Sequence, residues 1–418
     1  MGMEPMFKPN LSAWFVCIFV ALLSPLVSAT EMSRAEFVTQ VSSDSLPPYE
    51  FHISNPLVAS ATGYLKADPG KIENERRLGL HVPGFAKKLN VLSVIQNHPA
   101  PLVVVLPGIS GIIDDKFSRV WPAWYAEAGY HVLSFDSCFA AKFNEVSRHG
   151  VSGNIWRETE LVRDVIATYL KDSGVEGNVT GIGVVGMSYG GIQALILRKM
   201  ESEGKLPFKL DAVQAYSPPV NLERSASILN QWLERDRRCY TQGDLQLMLL
   251  MKPGETDYPD SQLRAAIAES FRLGLAEVLV QNDARYCLKL LERGTEFDDK
   301  QVRYDAATKY KFLDFAYGVS YPYWQEKLGL PSLQPLIDAA DVCNLVQTKP
   351  ACTEIILAND DPLNSDSDIA RLKECAGKNL TLLPNGGHLG YVNENWTRMK
   401  LLTLFECRSN GNGKAASR

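Results

Sequence analysis

Hydrophobic positions in this chain gather in short unbroken runs. Residues 102–106 (LVVVL), 131–135 (HVLSF), 181–185 (GIGVV), 212–216 (AVQAY) and 354–358 (EIILA) lack the polar residue at every second place that marks a half-solvated strand. Such runs, rich in Val, Ile and Leu, predict strands buried on both faces of a parallel sheet. Helical spacing separates the first four, as over residues 160–170 and 192–199. Strand and helix in alternation predict an α/β fold with a mostly parallel, doubly wound sheet. From about 221 to 348 the rhythm changes. Helix-like segments at 225–235, 260–280 and 286–292 follow one another without a convincing strand. Both ends of this stretch return to sheet-like runs, which predicts a helical lid inserted into one core rather than an independent domain.

The N-terminus has a different pattern. Residues 11–27 are almost all apolar, follow a single Lys8, and end at Val27-Ser28-Ala29. Small residues at the last and third-last positions suit signal peptidase, and Pro25 fits the helix break before a cleavage site. Cleavage after Ala29 and a secreted or periplasmic location are expected; an uncleaved membrane anchor is the alternative. The predicted organisation is a leader over 1–29, an extended segment over 30–48, and the α/β core over 49–220 and 349–408. A lid over 221–348 interrupts that core, and a disordered tail covers 409–418.

Composition changes little in this picture. The 418 residues carry a formal charge of −5, mild and unblocked, which argues against a nucleic-acid partner. Membrane contact is expected only through the N-terminal segment, if it stays attached. Seven of the eight cysteines lie beyond the leader, and none forms a C-x-x-C pair that would suggest a zinc or redox site. In an oxidising compartment some should pair, and Cys343 with Cys352 is the nearest local choice. The odd number leaves at least one thiol free or intermolecular.

The chemistry sits in glycine-flanked turns. Gly186-Met187-Ser188-Tyr189-Gly190 follows an apolar run and opens a helix-like one. A serine on a sharp strand-to-helix turn needs small neighbours two places away on each side, which Gly186 and Gly190 supply. Ser188 is therefore the candidate nucleophile, and the backbone N–H of Tyr189 one donor to an oxyanion. The second donor is expected on the loop after an earlier strand, Pro107-Gly108-Ile109-Ser110-Gly111, where we assign the N–H of Ile109. Of six histidines only His388 lies beyond the inserted region, between Gly387 and Gly390 after a strand-like run at 380–383. The order Ser, acid, His makes it the general base. The acid should end the preceding strand, in Asn359-Asp360-Asp361-Pro362, and Asp361 is favoured over Asp360. Asn364, Asp366 and Asp368 match the start of an EF-hand loop, but Ile369 and Cys375 replace its glycine and glutamate. No metal and no cofactor are expected.

These segments, together with Tyr216-Ser217-Pro218-Pro219 and Gly386-Gly387-His388-Leu389-Gly390-Tyr391, resemble the YheT/EMB8-like branch of the α/β-hydrolases. The resemblance spans roughly residues 100–220 and 350–395. It implies an eight-stranded hydrolase core with a lid, a Ser188–Asp361–His388 triad, and esterase, lipase or alcohol acyltransferase activity. Two positions differ from the branch: Asp136-Ser137-Cys138 stands for its Arg-Gly-Cys segment, and Pro107 for its oxyanion-loop histidine. The expected function is hydrolysis of carboxylic esters, small or lipid-like, through an acyl-serine. An alcohol O-acyltransferase on the same fold and a non-catalytic binding protein are the alternatives.

Overall fold

Residues Leu102 to Leu106 have no polar face to offer solvent, and all five are at most 1% exposed. They form the centre of an eight-stranded sheet in this computed structural model, which describes residues 42–235, 260–281 and 310–407. The strands are β1 (Glu75–Leu80), β2 (Leu89–Val94), β3 (Ala100–Leu106), β4 (His131–Phe135), β5 (Val179–Met187), β6 (Ala212–Tyr216), β7 (Thr353–Ala358) and β8 (Leu380–Leu383). Their order is β1-β2-β4-β3-β5-β6-β7-β8. β1 and β2 pair antiparallel, as do β2 and β4, and every other pairing is parallel. The expected strands all lie in this sheet, and the architecture is that of the α/β-hydrolase fold.

The sheet is covered on both faces. Val104, Leu133, Val184, Ile355 and Leu357 point to one side, against the helices Ile155–Asp172, Tyr189–Ser202 and Asp366–Ala376. Val103, Val105, Val185 and Ile356 point to the other, against Trp121 on the helix Lys116–Glu127 and Leu401 on the helix Asn395–Leu401. β3 has β4 on one side and β5 on the other, so the chain reverses its direction of travel there. Loops leaving β3 and β5 diverge at this switch point, where an open α/β sheet forms its crevice.

Between β6 and β7 the described residues are helical or loop, including Leu222–Arg235, Asp260–Gln281 and Tyr321–Leu328. The ends of the inserted stretch are stitched together. Asn221 bridges Asp341, Val342 N–H donates to Val220 O at 2.9 Å, and Arg371 donates to both carboxylate oxygens of Asp341. The leader at 1–29, residues 30–41, the expected helix at 286–292 and the tail at 409–418 lie outside the described residues, as do Cys239 and Cys287.

The cysteine pairing differs from expectation. Cys343 bonds to Cys375 and Cys352 to Cys407. Cys343 and Cys352 are close in sequence, yet they lie on opposite faces of the sheet, Cys343 beside the helix Asp366–Ala376 and Cys352 on the side of the C-terminal segment. Cys138 is a buried free thiol whose pKa burial raises far above its ordinary value.

Candidate active site

β5 runs straight into the helix Tyr189–Ser202, and Ser188 alone makes the turn, with φ 51° and ψ −115°. A side chain held at positive φ costs of order 1–3 kcal/mol, so the surroundings must enforce it. They do so by close backbone approach. A Cβ on Gly186 would lie 2.0 Å from Gly190 O, and one on Gly190 would lie 2.4 Å from Pro107 O and 2.5 Å from Leu106 O. Both glycines therefore let the strand, the helix and the loop after β3 meet around one point. The Ser188 N–H donates to Tyr216 O at 2.8 Å, which fixes the turn to β6.

The structure brings Ser188, Asp361 and His388 together from three separate loops. His388 Nε2 lies 2.9 Å from Ser188 Oγ, and His388 Nδ1 lies 2.9 Å from Asp361 Oδ2. All three residues are buried. Asp361 Oδ1 accepts from the Leu363 N–H at 3.0 Å, so the carboxylate is held at both ends. Asp360 points elsewhere and accepts from the Gly387 N–H at 2.8 Å. The two adjacent aspartates thus divide the work: one meets the imidazole, the other the backbone of its loop.

Ile109 and Tyr189 flank this centre. Among the described residues, neither backbone N–H donates a hydrogen bond. Tyr189 is the first residue of its helix, where an N–H has no intrahelical partner. The loop carrying Ile109 is pinned from below by the segment after β4: Ser137 N–H donates to Gly111 O, and Ile113 N–H to Asp136 Oδ1, both at 2.8 Å. Burial raises the Asp136 carboxyl above its ordinary range, partly offset by that N–H. Asp136 and Ser137 are therefore bound into the loop that carries Ile109.

Two contributors escaped the sequence reading. The first is the helix Pro56–Leu65, whose Ser60 Oγ accepts the His388 N–H at 2.8 Å. Ala59, Ser60 and Gly63 are small because the histidine loop lies directly on them; a Cβ on Gly63 would sit 2.4 Å from Leu389 O. Its signal was present in Asn55-Pro56, a helix cap followed by proline, and the Asn55 side chain indeed accepts from the N–H groups of Leu57 and Val58. The second is Glu158, fully buried on the helix Ile155–Asp172. It accepts from the Tyr189 hydroxyl at 2.5 Å and from the Gly153 N–H at 2.6 Å. Burial raises its pKa, and these two bonds oppose the rise.

Beside Ile109 and Tyr189 a pocket of about 70 Å³ opens between the core and the inserted helices. Phe139, Leu222, Ala226 and Phe315 supply much of its wall, and Glu223 is its one charged residue. Among the described residues, no group of three or more His, Cys, Asp or Glu could hold a metal ion, and no helix is long and apolar enough to cross a membrane.

No protein-family model and no curated protein matches the chain. Solved structures similar to it include an esterase of Pyrococcus furiosus, 14% identical with a TM-score of 0.42 over 86% of this chain and 96% of that one. Another is esterase B from Lactobacillus rhamnosis, 12% identical with a TM-score of 0.43 over 86% and 94% of the two chains. A third is 2,6-dihydroxy-pseudo-oxynicotine hydrolase, 15% identical with a TM-score of 0.41 over 81% and 68%. Likeness at this level assigns neither substrate nor mechanism to the present chain.

Proposed function

We propose that this chain is a serine hydrolase that cleaves carboxylic esters through an acyl-serine. The observation that carries the reading is the His388 ring, hydrogen-bonded at 2.9 Å to Ser188 on one side and to Asp361 on the other. With Asp361 accepting from Nδ1–H, the lone pair of Nε2 faces the Ser188 hydroxyl. Ser188 Oγ bonds to the ester carbonyl carbon while its proton passes to Nε2. The carbonyl electron pair moves onto oxygen, and the N–H groups of Ile109 and Tyr189 receive that charge. On collapse the bond to the alcohol oxygen breaks, and the alcohol leaves with the proton from His388. Water then repeats the sequence on the acyl-serine, releasing the acid and restoring Ser188. No cofactor enters these steps.

The Asp-Asp-Pro and Gly-Gly-His-Leu-Gly-Tyr segments support a place in the YheT/EMB8-like branch. Export is supported by the apolar leader and by two disulfides, which persist in oxidising compartments. A fluorophosphonate probe tests the central reading. Labelling of the wild type and its loss in Ser188→Ala are expected, with nitrophenyl ester hydrolysis lost in parallel. Folded protein that neither labels nor hydrolyses any ester would overturn it.

A further inference from the structure

The pocket beside the two oxyanion donors has a definite size, and size limits what it can hold. It shares Ile109 and Tyr189 with the proposed oxyanion site, so a carbonyl oxygen seated there directs one substituent of the carbonyl carbon toward the pocket. A Cβ added to Gly108, the residue before Ile109, would be in ordinary contact with Ser188 Cβ at 3.5 Å, which places the loop directly against the proposed nucleophile. The wall is chiefly aromatic and aliphatic, contains no cation to pair with an acyl carboxylate, and borders a space of about 70 Å³. An apolar protein cavity of roughly 150 Å³ accommodates benzene, so half that space takes about three carbons. Helices supply the side away from the sheet: Leu222 and Ala226 come from the helix Leu222–Arg235, and Phe315 from the four-residue helix Phe312–Phe315.

These helices are anchored to the core. Ser320 Oγ donates to Ser152 O at 2.7 Å and Trp324 Nε1 to Val151 O at 2.8 Å, which ties the inserted segment to the loop before Glu158. Phe315 packs edge-on against Phe139 from the core.

We infer that this pocket holds the acyl group of the ester and restricts it to short chains, with butyryl the longest that fits. The inference rests on the serine esterase reading. Each methylene buried up to that length should raise kcat/KM about fourfold, the equivalent of its transfer out of water.

The test is a series of 4-nitrophenyl esters from acetate to palmitate, read as kcat/KM on the full chain. A rise from acetate to butyrate followed by at least a tenfold fall at octanoate is expected. Ala226→Leu adds three carbons to the wall and should lower the butyrate-to-acetate ratio at least tenfold. Leu222→Ala removes three and should move the optimum to a longer ester. An optimum at octanoate or beyond overturns the short-chain assignment while leaving the esterase reading in place. So does an unchanged ratio in Ala226→Leu, provided the variant melts within a few degrees of wild type. Failure of every ester, with no fluorophosphonate labelling, overturns both.

Discussion

The backbone N–H of His388 donates to the side chain of Ser60, 328 residues earlier, at 2.8 Å. The same Ser60 hydroxyl donates to Pro56 O at 2.6 Å, one turn back in its helix. One hydroxyl thus accepts from the loop that carries His388 and donates to the helix beneath it. Tyr49 and Phe51 extend the clasp, since the Tyr49 hydroxyl donates to Asn385 O and the Asn385 side chain donates to Phe51 O. The segment from Tyr49 to Leu65 precedes the sheet, yet it sets where the imidazole stands.

Ser60→Ala leaves the His388 N–H without its partner. A hydrogen bond of this kind contributes about 1 kcal/mol net, and the proposed base tolerates little displacement. We expect kcat to fall about five- to tenfold with KM nearly unchanged, measured on a short nitrophenyl ester. A change confined to thermal stability, with kcat per labelled serine intact, would show that the bond supports only the fold.

Gly190→Ala tests the approach of helix and oxyanion loop. The new Cβ would fall 2.4 Å from Pro107 O, a backbone atom that cannot swing aside. The loop bearing Ile109 must shift, and removal of one oxyanion donor costs about a hundredfold or more in kcat. Overpacking of this kind also costs about 1–3 kcal/mol of stability. Both losses are expected together, in steady-state kinetics and in urea unfolding. Wild-type kcat in this variant would remove Ile109 from the oxyanion site.

Strands β3 to β7 were legible because burial on both faces leaves short runs of apolar residues, and β8 because Leu380, Leu382 and Leu383 read as a strand although three of its four residues are only partly buried. β1 was not, since Glu75-Arg76-Arg77 begin an edge strand that is largely exposed and carries charge. β2 has a continuous apolar side only once Asn90 and Ser93 are seen in place. The three turns that converge on Ser188 were visible because their glycines are demanded by backbone contact. Ser60 and Glu158 were not, for opposite reasons. A serine inside a stretch of small residues looks like any other helix position, and a buried glutamate reads as a surface one until its partners are known. The disulfides were misjudged because distance along the chain says nothing about which face of a sheet a cysteine reaches.

Glu158 predicts a pH dependence. Its pKa in the folded protein is raised, chiefly by burial, above the ordinary value of about 4.3. The folded state therefore binds the proton more tightly than the unfolded state. Its contribution to stability is full below the unfolded pKa and is lost as pH rises through the folded one. Glu158→Gln keeps an acceptor for the Tyr189 hydroxyl and removes the titration. Urea midpoints followed from pH 4 to 8 should show wild type losing ground to Glu158→Gln as pH rises. A constant difference would mean that Glu158 titrates alike in both states.

The disulfides offer the last test, and it separates two places in the fold. Cys352–Cys407 closes 55 residues and ties the start of β7 to the end of the described chain, while Cys343–Cys375 closes 32 and joins two helices on the opposite face. Bonds closing loops of this length stabilise by about 2–4 kcal/mol each, largely by restricting the unfolded chain. Neither touches Ser188, Asp361 or His388. Cys343→Ser and Cys352→Ser should each lower the melting temperature by several degrees while kcat per labelled serine stays near wild type. Peptide mapping without reductant should recover the 343–375 and 352–407 pairs. Cys138 should resist alkylation until the protein unfolds, since its thiol is buried and its pKa raised. A recovered 343–352 pair would require the two faces of the sheet to be joined around the end of β7, and would overturn the placement of both helices.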